Sequence, residues 1–238
     1  MALVKISRGA DIQHNYVNGV SRVSILEGAY KDATVERISL QPGADFSAEL
    51  YTREQHNQVF LITAGKGYIV TPRRVFNITE VSVFVPDFDK ESVTFHCAAD
   101  AKETMEIVHF VTELNDYDKT CLKEAHMSLP RFRGVSGAWH YKEDFTGADI
   151  QQMMLLEHRN LGRLSMGANF GTGPNYIGQH IHNELEQWYI MLPGASFTYT
   201  AENEKIHGSH HGSECADGEK FAYVWFELCE NGYPGEIK

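Results

Sequence analysis

Two stretches of this chain repeat one β-rich pattern that ends each time in a strand-to-glycine turn, and such a repeat restricts the fold to β units used twice. Val35-Glu-Arg-Ile-Ser-Leu-Gln-Pro-Gly43, followed by Gln58-Val-Phe-Leu-Ile-Thr-Ala-Gly65, matches Gly162-Arg-Leu-Ser-Met-Gly167, followed by Gln187-Trp-Tyr-Ile-Met-Leu-Pro-Gly194. Between and after these runs come Tyr68-Ile-Val70, Val81–Pro86 and Met105–Val111, short and rich in branched and aromatic residues, separated by polar or Gly/Pro turns. That spacing is the pattern of a sandwich or barrel, so an all-β fold is expected. Asp116 to Met127 is the one helix-like stretch and reads as a connector, since Ser-Leu-Pro130-Arg-Phe-Arg-Gly134 after it breaks any helix. The expected organisation is therefore a first β unit over 1–114, a connector with a short helix over 115–150, and a second β unit over 151–238. With 238 residues and 42% hydrophobic content, each unit can bury a core.

The segment with the most chemistry in it is Gly178-Gln-His180-Ile-His182-Asn-Glu184-Leu-Glu186-Gln187. Alternate residues of a strand share a face, so His180 and His182 point the same way. The next run, Gln187 to Leu192, reads as a second strand that brings Gln187 or Glu186 back toward the imidazole pair. Three metal ligands then come from one hairpin. The bland reading, two histidines on a solvated strand, has to be set against the whole pattern: His-x-His, four residues, an amide, six residues, Gly194.

That pattern resembles the first motif of the cupin superfamily, in the form that ends in a glycine turn. Two departures are visible: cupins usually carry Glu where Gln187 stands, and the expected upstream glycine is displaced by one, at Gly173. With the internal repeat, the resemblance implies two cupin-type β-barrels (double-stranded β-helix, or jelly roll) in tandem, a bicupin. It also implies a further ligand from a second motif, a His three residues after a tight Gly turn. Gly208-Ser-His210-His211 offers that spacing and nominates His211, although Ile206 and Cys215 replace the usual Pro and Asn. The stretch from Gly194 to Gly208 is shorter than its N-terminal counterpart, so the second barrel is expected to lack a hairpin.

Counting back from Gly65 by the spacings of the second copy puts Tyr51, Arg53 and Gln58 where His180, His182 and Gln187 stand. An arginine at a ligand position repels a cation, so the first copy is expected to be metal-free and structural or dimerising. The expected cofactor is one divalent transition metal per chain (Mn, Fe, Co, Ni or Zn), held by His180, His182, Gln187 and His211 with open positions left over. Such a site favours an anionic chelating substrate. Candidates for proton transfer are Glu186, Glu184, His210 and Tyr189, with Tyr176 as a further hydrogen-bond donor. Gln187 inward places Tyr189 and Met191 in the cavity and Trp188, Ile190 and Leu192 on the other face.

A net charge of −11 argues against nucleic acid or an anionic membrane surface as a partner. No apolar run is long enough to span a bilayer, the first residues lack the apolar core of a signal peptide, and the four cysteines form no C-x-x-C. A cytoplasmic homodimer with reduced thiols is expected. The functional expectation is a metal-dependent cupin enzyme of isomerase, lyase or hydrolase type acting on a small polar acid. The alternatives are a dioxygenase using Fe or Mn, and a non-enzymatic ligand-binding or storage-type cupin, which the retained histidines argue against.

Overall fold

The computed structural model describes residues 4–182, 185–201 and 210–232. It divides into two units, one comprising Ile6–Lys119 and His126–Gly137, the other Thr120–Ala125 and the chain from Ala138 on.

In the first unit the strands are β1 (Val20–Tyr30), β2 (Ala33–Leu40), β3 (Asp45–Ser47), β4 (His56–Ala64), β5 (Gly67–Val70), β6 (Val75–Ile78), β7 (Ser82–Val85), β8 (Thr94–Cys97) and β9 (Met105–Glu113). A helix, α1 (Asp116–Glu124), follows, then β10 (Arg131–Gly134). They form a six-stranded sheet, β1-β2-β9-β4-β7-β10, and a four-stranded sheet, β3-β8-β5-β6, with every pairing antiparallel. The inward faces bring together Ile38, Phe60, Ile62, Phe84, Phe95 and Ile107, all essentially free of solvent. Phe95 lies 4.9 Å from Phe60 and 5.8 Å from Phe84, so aromatic rings fill this barrel's interior. Toward one end, His109 stacks on Phe60 at 4.1 Å and donates from Nδ1 to Glu36, which also pairs with Arg22. Helix α1 starts on a reciprocal cap: Asn115 Oδ1 receives the Asp118 amide, and Asp118 Oδ2 receives that of Asn115. It ends three residues before the expected Met127.

The second unit contains β11 (Trp139–Tyr141), β12 (Gln151–Leu161), β13 (Leu164–Thr172), β14 (Asn175–His180), β15 (Leu185–Met191), β16 (Thr198–Ala201), β17 (His211–Cys215) and β18 (Lys220–Cys229). Its sheets are β11-β12-β13-β18-β15 and β14-β17-β16. Gly65 and Gly194, which close the two matching strand runs, both take positive φ, +90° and +84°, where a side chain is strained. Counterparts of β6 and β7 do not occur among the described residues of the second unit, so its sheets carry fewer strands. Ile177, Phe221, Tyr223 and Trp225 pack with Ile150 and Met154 into this unit's hydrophobic core. No helix among the described residues is long and apolar enough to cross a membrane.

Candidate metal centre

Strand pairing brings the histidines together. His180 closes β14 directly opposite His211, which opens β17, and His182 follows two residues beyond His180. The three rings lie 4.3 to 5.3 Å apart, and one nitrogen from each falls within 4.8 Å of the others. Zinc–imidazole bonds of about 2.1 Å hold nitrogens within roughly 4 Å of each other, so a small rotation of the rings would close them on one ion. Phe145 stacks on His180 at 4.2 Å and fixes its plane. The Nδ1 of His180 donates to the Gly178 carbonyl at 2.8 Å, which leaves Nε2 as the lone-pair nitrogen, the usual outer support of a metal-binding imidazole.

Electrostatics favour the ligand form. Burial pushes His182 down to about 4, and the neighbouring imidazoles of His180 and His211 push the same way. Burial also lowers His180, against the pull of the Gly178 carbonyl. Neutral, desolvated imidazoles held face to edge repel protons and offer lone pairs, so the donor set fits a divalent transition ion.

His180 and His182 border a cavity of about 440 Å³, with His211 behind them across the strand pair. Gln187 and Tyr189 face into it from β15, and Tyr223, Trp225 and Glu227 from β18, because cross-strand partners share a face. Gln187, expected on the metal, has both ends of its amide engaged: Oε1 accepts the Tyr189 hydroxyl at 2.5 Å and Nε2 donates to Glu227 Oε1 at 2.7 Å. Ser165 donates to the other oxygen of Glu227 at 3.1 Å. Burial pushes the Glu227 carboxyl up to about 7, against these two donors and with some help from Glu143. Deeper in, Asn169 donates to the Tyr223 hydroxyl at 2.7 Å, and its own Oδ1 is buried with no hydrogen-bond partner. Trp225 can lie against β13 only because residue 167 is glycine; a Cβ there would sit 2.2 Å from the indole Cζ2.

The remaining candidates are dispersed. Glu186 is not among the cavity-lining residues, because its neighbour Gln187 takes the inward parity. His210 and Tyr176 are exposed, and Met191, expected in the cavity, is 48% exposed at the end of its strand. Glu184 lies outside the described residues. In the first unit Arg53 lies 3.6 Å from Asp87 and over the Phe88 ring, while Tyr51 sets its edge against His56. Glu227, Glu143 and Asn169 were not anticipated. The alternation Phe221-Ala-Tyr-Val-Trp-Phe-Glu227 carried the signal for the first: a lone carboxylate on the inward parity of an otherwise apolar strand.

Paired antiparallel sheets rolled into a barrel give each unit a cupin-type, jelly-roll fold, and the imidazoles that converge from a strand end and its partner belong to the second. No protein-family model and no curated protein matches the sequence. Solved structures do share the fold. Protein Ylba from E. coli superposes with a TM-score of 0.64 at 10% identity, over 94% of this chain and 90% of that one. A variant oxalate decarboxylase of B. subtilis gives 0.61 at 9% identity, over 94% and 77%. A cupin 2 conserved barrel domain protein from Leptotrichia buccalis gives 0.59 at 13% identity, over 96% and 100%.

Proposed function

We propose that the second barrel is the active site of a metal-dependent enzyme acting on a small molecule, with His180, His182 and His211 holding one divalent transition ion per chain. The observation that carries this reading is the convergence of three desolvated imidazoles on the edge of a cavity that also holds a buried carboxyl lifted to about 7. A bound ion would supply Lewis acidity at a substrate oxygen. Glu227 is suited to move a proton because its carboxyl changes state near neutral pH. Gln187 and Ser165 hold its two oxygens and fix its direction, and the Tyr189 hydroxyl extends the chain of hydrogen bonds toward His211, whose ring lies 5.9 Å from that of Tyr189. The aromatic wall of Tyr141, Phe145 and Trp225 limits water around the reacting group.

Glu227 replaces Glu186, Glu184 and His210 as the proton-transfer candidate in this reading. The small acidic substrate expected from the sequence finds no lysine or arginine among the described lining residues, so the ion would be its main attraction. Isomerase, lyase and hydrolase chemistry all fit a carboxyl that gives and takes a proton. The test is metal analysis of untagged protein, followed by aerobic and anaerobic activity screens with wild type and Glu227→Gln. One ion per chain, with turnover lost in Glu227→Gln and unchanged without oxygen, supports the reading. Oxygen consumption selects a dioxygenase instead, and a protein that takes up no ion removes the proposal.

A further inference from the structure

The polar groups of the cavity are unbalanced. Glu143 and Glu227 bring two carboxyls to its lining, and no lysine or arginine accompanies them among the described lining residues. Asn169, 4% exposed, adds a carbonyl oxygen with no hydrogen-bond partner, although it lines the same cavity. A buried acceptor left unmade is costly, so its presence points to a donor that arrives with a ligand. The rings of Tyr141, Tyr223 and Trp225 line the same cavity, and an aromatic face attracts cations and does nothing for anions.

We propose that the substrate of this cavity carries a protonated amine, received by the acceptors Glu143, Glu227 and Asn169 and by the aromatic wall, while an oxygen of the same molecule faces the three histidines. This rests on the second barrel being the active site. An aminated small molecule, such as an amino acid or amino alcohol, satisfies both ends; a dicarboxylate satisfies one and is repelled at the other. Acceptors on the protein then meet donors on the ligand, and the carboxyls meet a positive charge, which neither a keto acid nor a sugar acid would provide.

Two probes of matched shape and opposite charge separate the cases: phenethylammonium and 3-phenylpropionate, titrated calorimetrically into the full chain at pH 8, both with and without added Mn. Phenethylammonium should bind at least about tenfold tighter, a difference of one charge-assisted contact or cation–π pair. Glu227→Gln and Glu143→Gln should each weaken it several-fold and leave 3-phenylpropionate unchanged or tighter. Asn169→Asp, which adds charge at the unpartnered acceptor, should strengthen phenethylammonium binding. Equal or tighter binding of 3-phenylpropionate in the metal-free protein overturns the proposal, as does amine binding indifferent to all three substitutions. Because an ammonium does not ligate the ion, the amine preference should persist in chelator-treated protein; loss of metal uptake with retained amine preference would count against the metal centre and not against this inference.

Discussion

The two barrels share a register and differ in what they put inside. Counting from Gly65 and Gly194, Gln58 corresponds to Gln187, Phe60 to Tyr189, and the cross-strand partners His109 and Val111 to Trp225 and Glu227. At the central position the first barrel has a phenyl ring stacked among others, and the second has a phenol bonded to an amide. One interior is lined by buried aliphatic and aromatic side chains, and the other borders a cavity of about 440 Å³ to which hydroxyls, amides and carboxyls contribute. The same scaffold therefore becomes a core or a vessel through a few inward-facing residues, while the glycine turns that set the register stay fixed.

The largest expected effect tests whether the imidazoles alone separate the two halves. His180→Ala or His211→Ala should reduce metal affinity beyond the roughly 100-fold ceiling typical of outer-shell changes, as read by metal content after dialysis. The double variant Tyr51→His/Arg53→His should still bind no ion in the first barrel, because the Lys90 ammonium, 3.0 Å from the Asp87 carboxylate, already neutralises it and repels a cation. Uptake of a second ion would show that only two side chains keep the barrels apart.

Next comes the filled interior. Phe60→Ala should cost about 4 kcal/mol in urea unfolding, the usual penalty for a large cavity in a close-packed core. Tyr189→Phe, at the matching position, removes one hydrogen bond and should cost about 1 kcal/mol. A cost for Tyr189→Ala as large as that of Phe60→Ala would mean that the second interior is packed as tightly as the first.

A third measurement uses pH. The folded Glu227 carboxyl is raised from 4.5 to about 7, so its neutral form is the favoured one in the barrel. Its contribution is fully present below the unfolded value and is lost as pH rises through about 7. In metal-free protein, Glu227→Gln should therefore gain stability over wild type progressively between pH 4.5 and 8, reaching roughly 3 kcal/mol at the upper end. His182 titrates oppositely: lowered to about 4, it stays a lone-pair donor well below the ordinary imidazole range. Metal should accordingly be retained to about pH 5 in a dialysis series. Ion loss already at pH 6.5 would place the imidazole in open solvent. The smallest effect is that of Glu186→Gln, which should leave metal content unchanged and stability within about 0.5 kcal/mol.

What could be read beforehand was set by periodicity. Glycine turns, alternating strands and the His180/His182 pair each leave a local signature, and together they gave the tandem barrels and the imidazole cluster. Residues whose roles depend on partners far along the chain left none. Gln187 has the right parity for a ligand, but Tyr189 and Glu227 claim its amide, and the second of these is 40 residues away. The edge strands β10 and β11 were invisible because Arg131-Phe-Arg-Gly134 and Trp139-His-Tyr141 are too short and polar to show a period; pairing with β7 and β12 makes them strands. Glu227 left only the parity of a lone carboxylate in a run that otherwise reads as a closing strand.

Gly167 lies beneath Trp225 with no room for even one more carbon. A methyl group at that point must displace the indole, and the indole is part of the cavity wall. The capacity of the second barrel can thus be trimmed from the far side of its wall, without altering a group that binds or reacts. Gly167→Ala is in this sense a size filter, separable from the chemistry: larger ligands would be shut out while the carboxyls, amides and imidazoles that receive smaller ones keep their identities.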